Sequence, residues 1–209
     1  MHPNPIFHKT DAAHSLAFAR ERSFGTLAIN ADAAPFFAHI PFLLSEDARF
    51  ADLHLVRSNP ISRALKEHTQ PARLAVTASD SYISPDWYGV EDQVPTWNYV
   101  AVHFTGTLEL QPQEDLKTLL DRQSAHFENQ LRPKPPWNTD KMSDEVMEKM
   151  MRAIVPVRLH IEDMQSTWKL GQNKPDDVRK RAAQHVEAQD IGMDTKTLAA
   201  WMITPPSSK

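Results

Sequence analysis

NYVAVHFTGTLEL, residues 98–110, is a β-forming run in which Tyr99, Val100, Ala101, Val102, His103 and Phe104 follow one another without a break. β-branched and aromatic side chains pack well on a pleated, half-buried surface, so the segment is expected to be a strand. Shorter runs of the same character precede it: FGTLAIN (24–30), FFAHIPFLL (36–44), ARFADLHLV (48–56) and residues 73–78. Downstream, residues 152–161 are expected to form a further strand, with Ile154, Val157, Leu159 and Ile161 as its apolar positions.

Helical signals lie between these runs. Thr10 can cap a helix through Arg22, with Ala13, Leu16 and Ala17 at helical spacing. Asn59-Pro60 before ISRALKEH reads as an N-cap followed by proline in the first helical position. Residues 113–130 and 143–151 are expected to be helical around the loop RPKPPWNTD, and Pro175 opens a basic helix to about Gln189. About six uneven strands with peripheral helices predict a mainly β, α+β chain built as an antiparallel barrel. The strands lack regularly spaced crossover helices, which argues against a doubly wound parallel sheet. Residues 1–190 are expected to be one domain, and 191–209 a C-terminal extension with a mobile tail, TPPSSK.

The composition is that of a globular chain, with 41% hydrophobic and 24% charged residues in 209. Sixteen prolines against five glycines imply loops shaped by proline rather than left flexible. There is no cysteine, which excludes disulfides and thiolate metal sites and fits a reducing cytoplasm. A net charge of −4 argues against nucleic-acid binding through a blanket basic face. The start, MHPNPIFHKTD, lacks the basic and apolar regions of a secretory signal. AAPFFAHIPFLL, residues 33–44, has about half the length that spans a bilayer, so no membrane segment is expected. Ten histidines form neither HExxH nor His-x-His, and no metal site is expected. P-loop, GxGxxG and GxSxG motifs are also missing.

Residues 82–99, YISPDWYGVEDQVPTWNY, contain all three tyrosines and two of the five tryptophans. Planar side chains beside prolines and short polar groups make a stiff surface suited to a flat aromatic ligand with a polar rim. The plainer reading is an aromatic mini-core beneath a long loop. HLVRSNP, residues 54–60, sets Arg57 beside the backbone amides of a helix start, a combination suited to phosphate. An ordinary capped helix with a solvated arginine would have the same letters. WKLGQNKP, residues 168–175, joins a lysine to two amides matched to the edge of a heterocycle, or is simply a polar loop before a cap. In Arg179-Lys180-Arg181, behind Asp176-Asp177, a solvated helix face is favoured over a DNA contact.

In order and wording, HLVRSNP, SYISPDWY (81–88), VPTWNYVAVHFTG (94–106), RAIV (152–155) and KLGQN (169–173) resemble the PaiB family. That family is described as FMN-binding negative transcriptional regulators. The resemblance implies a flavin-type split β-barrel of Greek-key form, a homodimer, and FMN in the groove between subunits. On the matching motifs, Arg57 and the amides near Asn59 would take the phosphate, with Lys169 assisting from the same or the partner subunit, and His54, Ser58 and Asn59 would also belong to the cofactor site. Trp97 and Asn98 would line the isoalloxazine, and Gln172 and Asn173 would meet its pyrimidine edge.

The chain departs from the family pattern at four positions. Gly171 stands for a serine, Pro156 and Ser79 for glycines, and His2 for a tyrosine. Three functions follow. The flavin is a redox or ligand sensor in a regulator, with direct DNA contact only weakly supported; or the chain is an FMN-dependent oxidoreductase acting on a small molecule, with no catalytic residue identifiable; or it is a non-flavin binding module on the same barrel.

Overall fold

A computed structural model of the chain describes residues 1–208. Seven strands form one sheet: β1 (Phe24–Ile29), β2 (Phe36–Leu44), β3 (Phe50–Val56), β4 (Gln70–Ile83), β5 (Thr96–Leu110), β6 (Ile154–Lys169) and β7 (Gly192–Met193). Their order is β1-β2-β3-β6-β5-β4-β7, and a further β1–β4 pairing closes the first six into a barrel. The neighbours β4-β1-β2-β3 are three consecutive strands plus a fourth returning beside the first, the Greek-key arrangement. The antiparallel α+β barrel expected from the sequence is therefore the fold. The helices are α1 (Ala12–Arg22), α2 (Pro60–Ala64), α3 (Leu116–Glu128), α4 (Asp144–Met151), α5 (Asp176–Gln189) and α6 (Thr195–Ile203).

The chain divides into two compact units. One comprises Ser23–Leu74 and Phe104–Asp163. Its antiparallel ladders run Phe24↔Pro41 to Ile29↔Phe36, Phe42↔Leu53 to Leu44↔Ala51, and Phe50↔His160 to Val56↔Ile154. Alternation along the strands buries Leu27, Ile29, Ile40, Phe42, Leu53, Leu55, Phe104, Leu108, Val157 and Leu159. The helix α3 packs on β2 and β3 through Leu116 and Leu119. Among these apolar groups sits one buried carboxylate: Asp52 accepts from Arg158 Nε at 2.7 Å and Nη2 at 3.1 Å, and from Arg122 Nη1 at 3.2 Å.

The other unit comprises Met1–Arg22, Ala75–His103 and Met164 onward. Its core is an aromatic cluster in which buried Trp168 meets Phe18 and Trp201 edge-on, at 5.7 and 5.1 Å between ring centroids. The Trp168 indole N–H donates to Ser15 Oγ at 3.0 Å, so its polar atom is satisfied inside. α5 and α6 pack together through Val178, Ala182, Val186, Leu198 and Met202.

Local chemistry moves several expected boundaries. Asp11 Oδ1, not Thr10, accepts from the first turn of α1 (Ala13 N, 3.1 Å), because Thr10 forms a β-bridge with Ser208. Asn59 does cap α2, accepting from Ile61 N at 2.9 Å, but that helix is five residues long rather than the nine of PISRALKEH. Residues 113–130 split into 3-10 turns on either side of α3. The last strand-like segment continues to Lys169 as sixteen residues. β7 and α6 have no counterpart in the expectations; β7 pairs with Asp80 and Ser81, and Asp11 N donates to Ser207 O at 3.1 Å.

Two substitutions test this packing. Gly106 has no room for a methyl group, since a Cβ there would lie 1.8 Å from the His160 carbonyl oxygen. Gly106→Ala is expected to cost about 3 kcal/mol or more through forced backbone displacement. Asp52→Ala strands Arg158 and should cost about 3 kcal/mol, the low end for breaking a buried pair because Arg122 is half solvated. Urea unfolding midpoints check both, and an unchanged midpoint in either variant would contradict the packing described.

Candidate functional site

The nine residues singled out from the sequence fall into two groups, one in each unit. In the first, β3 ends at Val56 and the chain turns through Arg57 and Ser58 into α2. Arg57 Nε donates to the Arg152 carbonyl at 2.9 Å, and Nη2 to Gln113 Oε1 at 3.0 Å and the Ile154 carbonyl at 3.2 Å. The guanidinium is therefore exposed yet held in place, with Nη1 unbonded among the described residues. The backbone amides are less available than the sequence suggested. Arg57 N donates to Ala153 O at 2.8 Å, Asn59 N to Val56 O at 2.9 Å and Ile61 N to the Asn59 side chain. A one-turn helix also adds little dipole. What the turn offers an anion is the fixed guanidinium and exposed Ser58.

His54 is half-buried, and its Nδ1–H donates to Gln123 Oε1 at 2.9 Å, because that amide oxygen can only accept. Burial lowers its pKa and so favours a neutral ring, with the Gln123 bond acting in the opposite direction. Its bond joins β3 to α3.

Of the second group, Asn98, Lys169 and Asn173 line a groove of about 250 Å³ together with His2, Thr96 and Lys174, with Asp92 as its one acidic lining residue. Asn98 is 1% exposed and donates through Nδ2 to Met202 Sδ at 3.5 Å. Lys169 is half-buried and donates to Thr96 Oγ1 at 2.5 Å. Asn173 is exposed at the rim, and its amide has no hydrogen-bond partner among the described residues. Lys174 bonds to Gln93 Oε1 and lies 5.2 Å from the centre of the Tyr88 ring.

Gln172 shapes this turn from within: its Oε1 accepts from Leu170 N at 2.9 Å and its Nε2 donates to Trp168 O at 2.6 Å. Trp168 itself is buried and presents no face to a ligand. Gly171 has φ +83°, and a Cβ would sit 3.3 Å from Arg179 Cγ. The departure from serine at this position thus goes with a backbone that disfavours any side chain.

Trp97 and Asn98 are consecutive in β5, so their side chains leave on opposite faces. Trp97 is 48% exposed and meets Tyr82 edge-on at 6.3 Å; Tyr82 meets Trp87 at 6.2 Å, and Trp87 stacks on His185 at 5.7 Å. Exposed Trp97 and buried Tyr88 show that the aromatic segment supplies both a surface and a core. His2, Thr96 and Lys174 were missed as groove residues. His2 had a signal in its departure from the family's tyrosine, and Thr96 lies inside VPTWNY, but Lys174 looked like an ordinary loop lysine.

One residue of the basic run on α5 is turned inward, while Lys180 and Arg181 are exposed. Arg179 is 6% exposed, with Nε on the Met202 carbonyl at 2.7 Å and Nη1 on Asp176 at 2.7 Å. Arg181 Nη1 donates to the carbonyls of Tyr88 and Gly89, and Lys180 lies 3.9 Å from Asp176. The solvated basic face expected here is corrected at Arg179 alone, which is buried, while exposed Arg181 is tied to two backbone carbonyls.

A family model described as "Putative FMN-binding domain" matches residues 1–163. The protease synthase and sporulation protein PAI 2 of Bacillus subtilis is 31% identical over 174 residues, covering 80% of each chain. An uncharacterized protein of Aspergillus fumigatus is 27% identical over 206 residues, covering 74% of this chain and 78% of that one. Among solved structures, the FAD and heme binding protein from Mycobacterium smegmatis superposes with a TM-score of 0.57 at 19% identity, covering 88% of this chain and 80% of that one. The flavocytochrome Anf3 from Azotobacter vinelandii superposes with a TM-score of 0.54 at 14% identity, covering 100% and 80%. At those identities the two structures bear on the fold alone. With the family match spanning HLVRSNP, SYISPDWY and VPTWNY, and a PAI 2 protein at 31% identity, the chain belongs to the PaiB-type FMN-binding domain family.

Proposed function

We propose that this chain binds FMN and uses it as a redox or ligand sensor in a PaiB-type regulatory role. The observation that carries the reading is Arg57, an exposed guanidinium fixed by three internal hydrogen bonds beside the exposed Ser58. A fixed arginine loses little freedom on binding, which suits it to the phosphate. Asn59 would hold the turn as its cap, and His54 would hold β3 behind it. At the groove, the Asn173 amide is available to the ring's polar edge, with Asn98 and Lys169 below and Gln172 as the brace of the turn. When bound, FMN supplies one- or two-electron transfer, while the protein orients and shields it.

Direct DNA recognition has little support, since Arg179 is buried, Arg181 is tied to the Tyr88 and Gly89 carbonyls and the net charge is −4. The regulatory output would instead pass through a protein partner or through metabolism. The half-buried ammonium of Lys169 favours a second reading, an FMN-dependent oxidoreductase acting on a small molecule. Addition of a reduced nicotinamide to the flavin-loaded protein separates the two, because only an enzyme need bleach the flavin rapidly.

The homodimer belongs to the same reading. Trp97, Val94 and Met193 are 48%, 73% and 62% exposed, an apolar surface suited to an isologous interface. Sedimentation at micromolar concentration should show a dimer; a flavin-loaded monomer would refute this part. No helix is long and apolar enough to cross a membrane among the described residues. The lack of cysteine supports a reducing, cytoplasmic setting.

The phosphate assignment is tested by Arg57→Ala. A hydrogen bond to a charged group is worth about 1.5–3 kcal/mol, so FMN affinity should fall roughly ten- to a hundredfold. Riboflavin, without the phosphate, should bind wild type and variant equally poorly, which controls for the bonds lost to Arg152 and Ile154. Full FMN affinity in the variant, or an equal loss for riboflavin, would remove Arg57 from the site.

A further inference from the structure

The inner part of the groove holds a cation that no carboxylate among the described residues neutralises. Burial holds the Lys169 ammonium below the ordinary lysine range, and no neighbouring carboxylate opposes that effect. Its one side-chain hydrogen bond among the described residues, to Thr96 Oγ1, is to a neutral hydroxyl. A half-buried ammonium is costly unless an anion meets it, so a lone one in a cleft points to a ligand of opposite charge.

His2 adds a donor to the same groove. Its Nδ1 accepts from the Asn4 backbone amide at 3.1 Å, so in the neutral ring the proton is on Nε2. The ring is held neutral by burial first, then by Lys169, His8 and the N-terminal ammonium, all of which lower its pKa. The His2 backbone N–H reaches Thr167 Oγ1 at 3.4 Å, which fixes this residue against β6. Lys174 contributes a second ammonium to the lining, against the single carboxylate of Asp92. In a protein of net charge −4, this is a locally positive groove.

We propose that the groove binds the oxyanion of a small molecule, a carboxylate or a phosphate group, with Lys169 as its charge partner and the His2 Nε2–H as a second donor. An ammonium and a separate N–H match two oxygens of one oxyanion, and hydrogen bonds with an ionised partner are the strong ones. The proposal rests on the flavin reading only in taking this ligand to be the one the FMN-bearing site senses or transforms. The donors themselves belong to this chain.

The test titrates flavin-loaded protein with inorganic phosphate and, separately, with benzoate, followed by calorimetry and by the visible flavin spectrum. Saturable binding of at least one is expected, and the two arms show which kind of oxyanion is preferred. Lys169→Met should weaken it about tenfold or more, whereas Lys169→Arg should stay within a few fold of wild type. His2→Ala, at the chain start where the fold is least at risk, should show a smaller loss of about three- to tenfold. FMN content should not change in His2→Ala, and in the two Lys169 variants it is measured beside the anion titration, so that weakened anion binding with the flavin retained supports the proposal.

Binding of neither anion by wild type would overturn the proposal, as would full binding by Lys169→Met. Loss of both FMN and riboflavin from Lys169→Met would also overturn it and make the lysine a flavin contact. A colourless wild type that cannot be loaded would sink the flavin reading alone, because calorimetry on that protein still decides the groove.

Discussion

Each strand of the six-membered ring has a neighbour on both sides, and the β1–β4 pairing is what makes that so. Without it, β1 and β4 would each present a row of unpaired backbone donors and acceptors. With it, the pleat can only alternate between an inside and an outside, as the burial of every second residue in β1 shows. Polar chemistry is thereby pushed to strand ends and to the turns that follow them. Arg57 comes just after β3 and Lys169 is the last residue of β6.

How much of this could be read from the sequence follows from how local each signal is. β2 was bounded at 36–44 because FFAHIPFLL is continuous and flanked by turn residues. The Asn59 cap was readable because an N-cap and a first-turn proline act within three residues. The length of α2 was not, because ISRALKEH is a good helical string that gives way to a turn before β4. α6 escaped notice since its packing partners lie on α5, and Asp194 ahead of it has φ +48° and makes no side-chain cap. The Asp52 network escaped for the same reason: Arg122 and Arg158 are 70 and 106 residues away in sequence.

The candidate site shows the same division. Motif wording singled out Asn98, Lys169 and Asn173, which line one groove, but it could not tell a residue that faces a ligand from one that holds the turn. Gln172 has both ends of its amide on backbone atoms, and Asn59 caps its own helix. Trp168 lies in the core although it adjoins the lysine. Letters report which functional groups exist; hydrogen-bond partners decide which of them remain available.

The close approach at Gly106 has a consequence for specificity of pairing. With the His160 oxygen where a Cβ would be, only glycine can occupy that point of β5. A strand carries its register along its whole length, and sliding by one residue exchanges its two faces. In β5 such a slide would send Trp97 to the side of Asn98 and Asn98 to the side of Trp97. A position with no side chain at all thus acts as a notch, keeping an apolar surface and a polar recess from trading places.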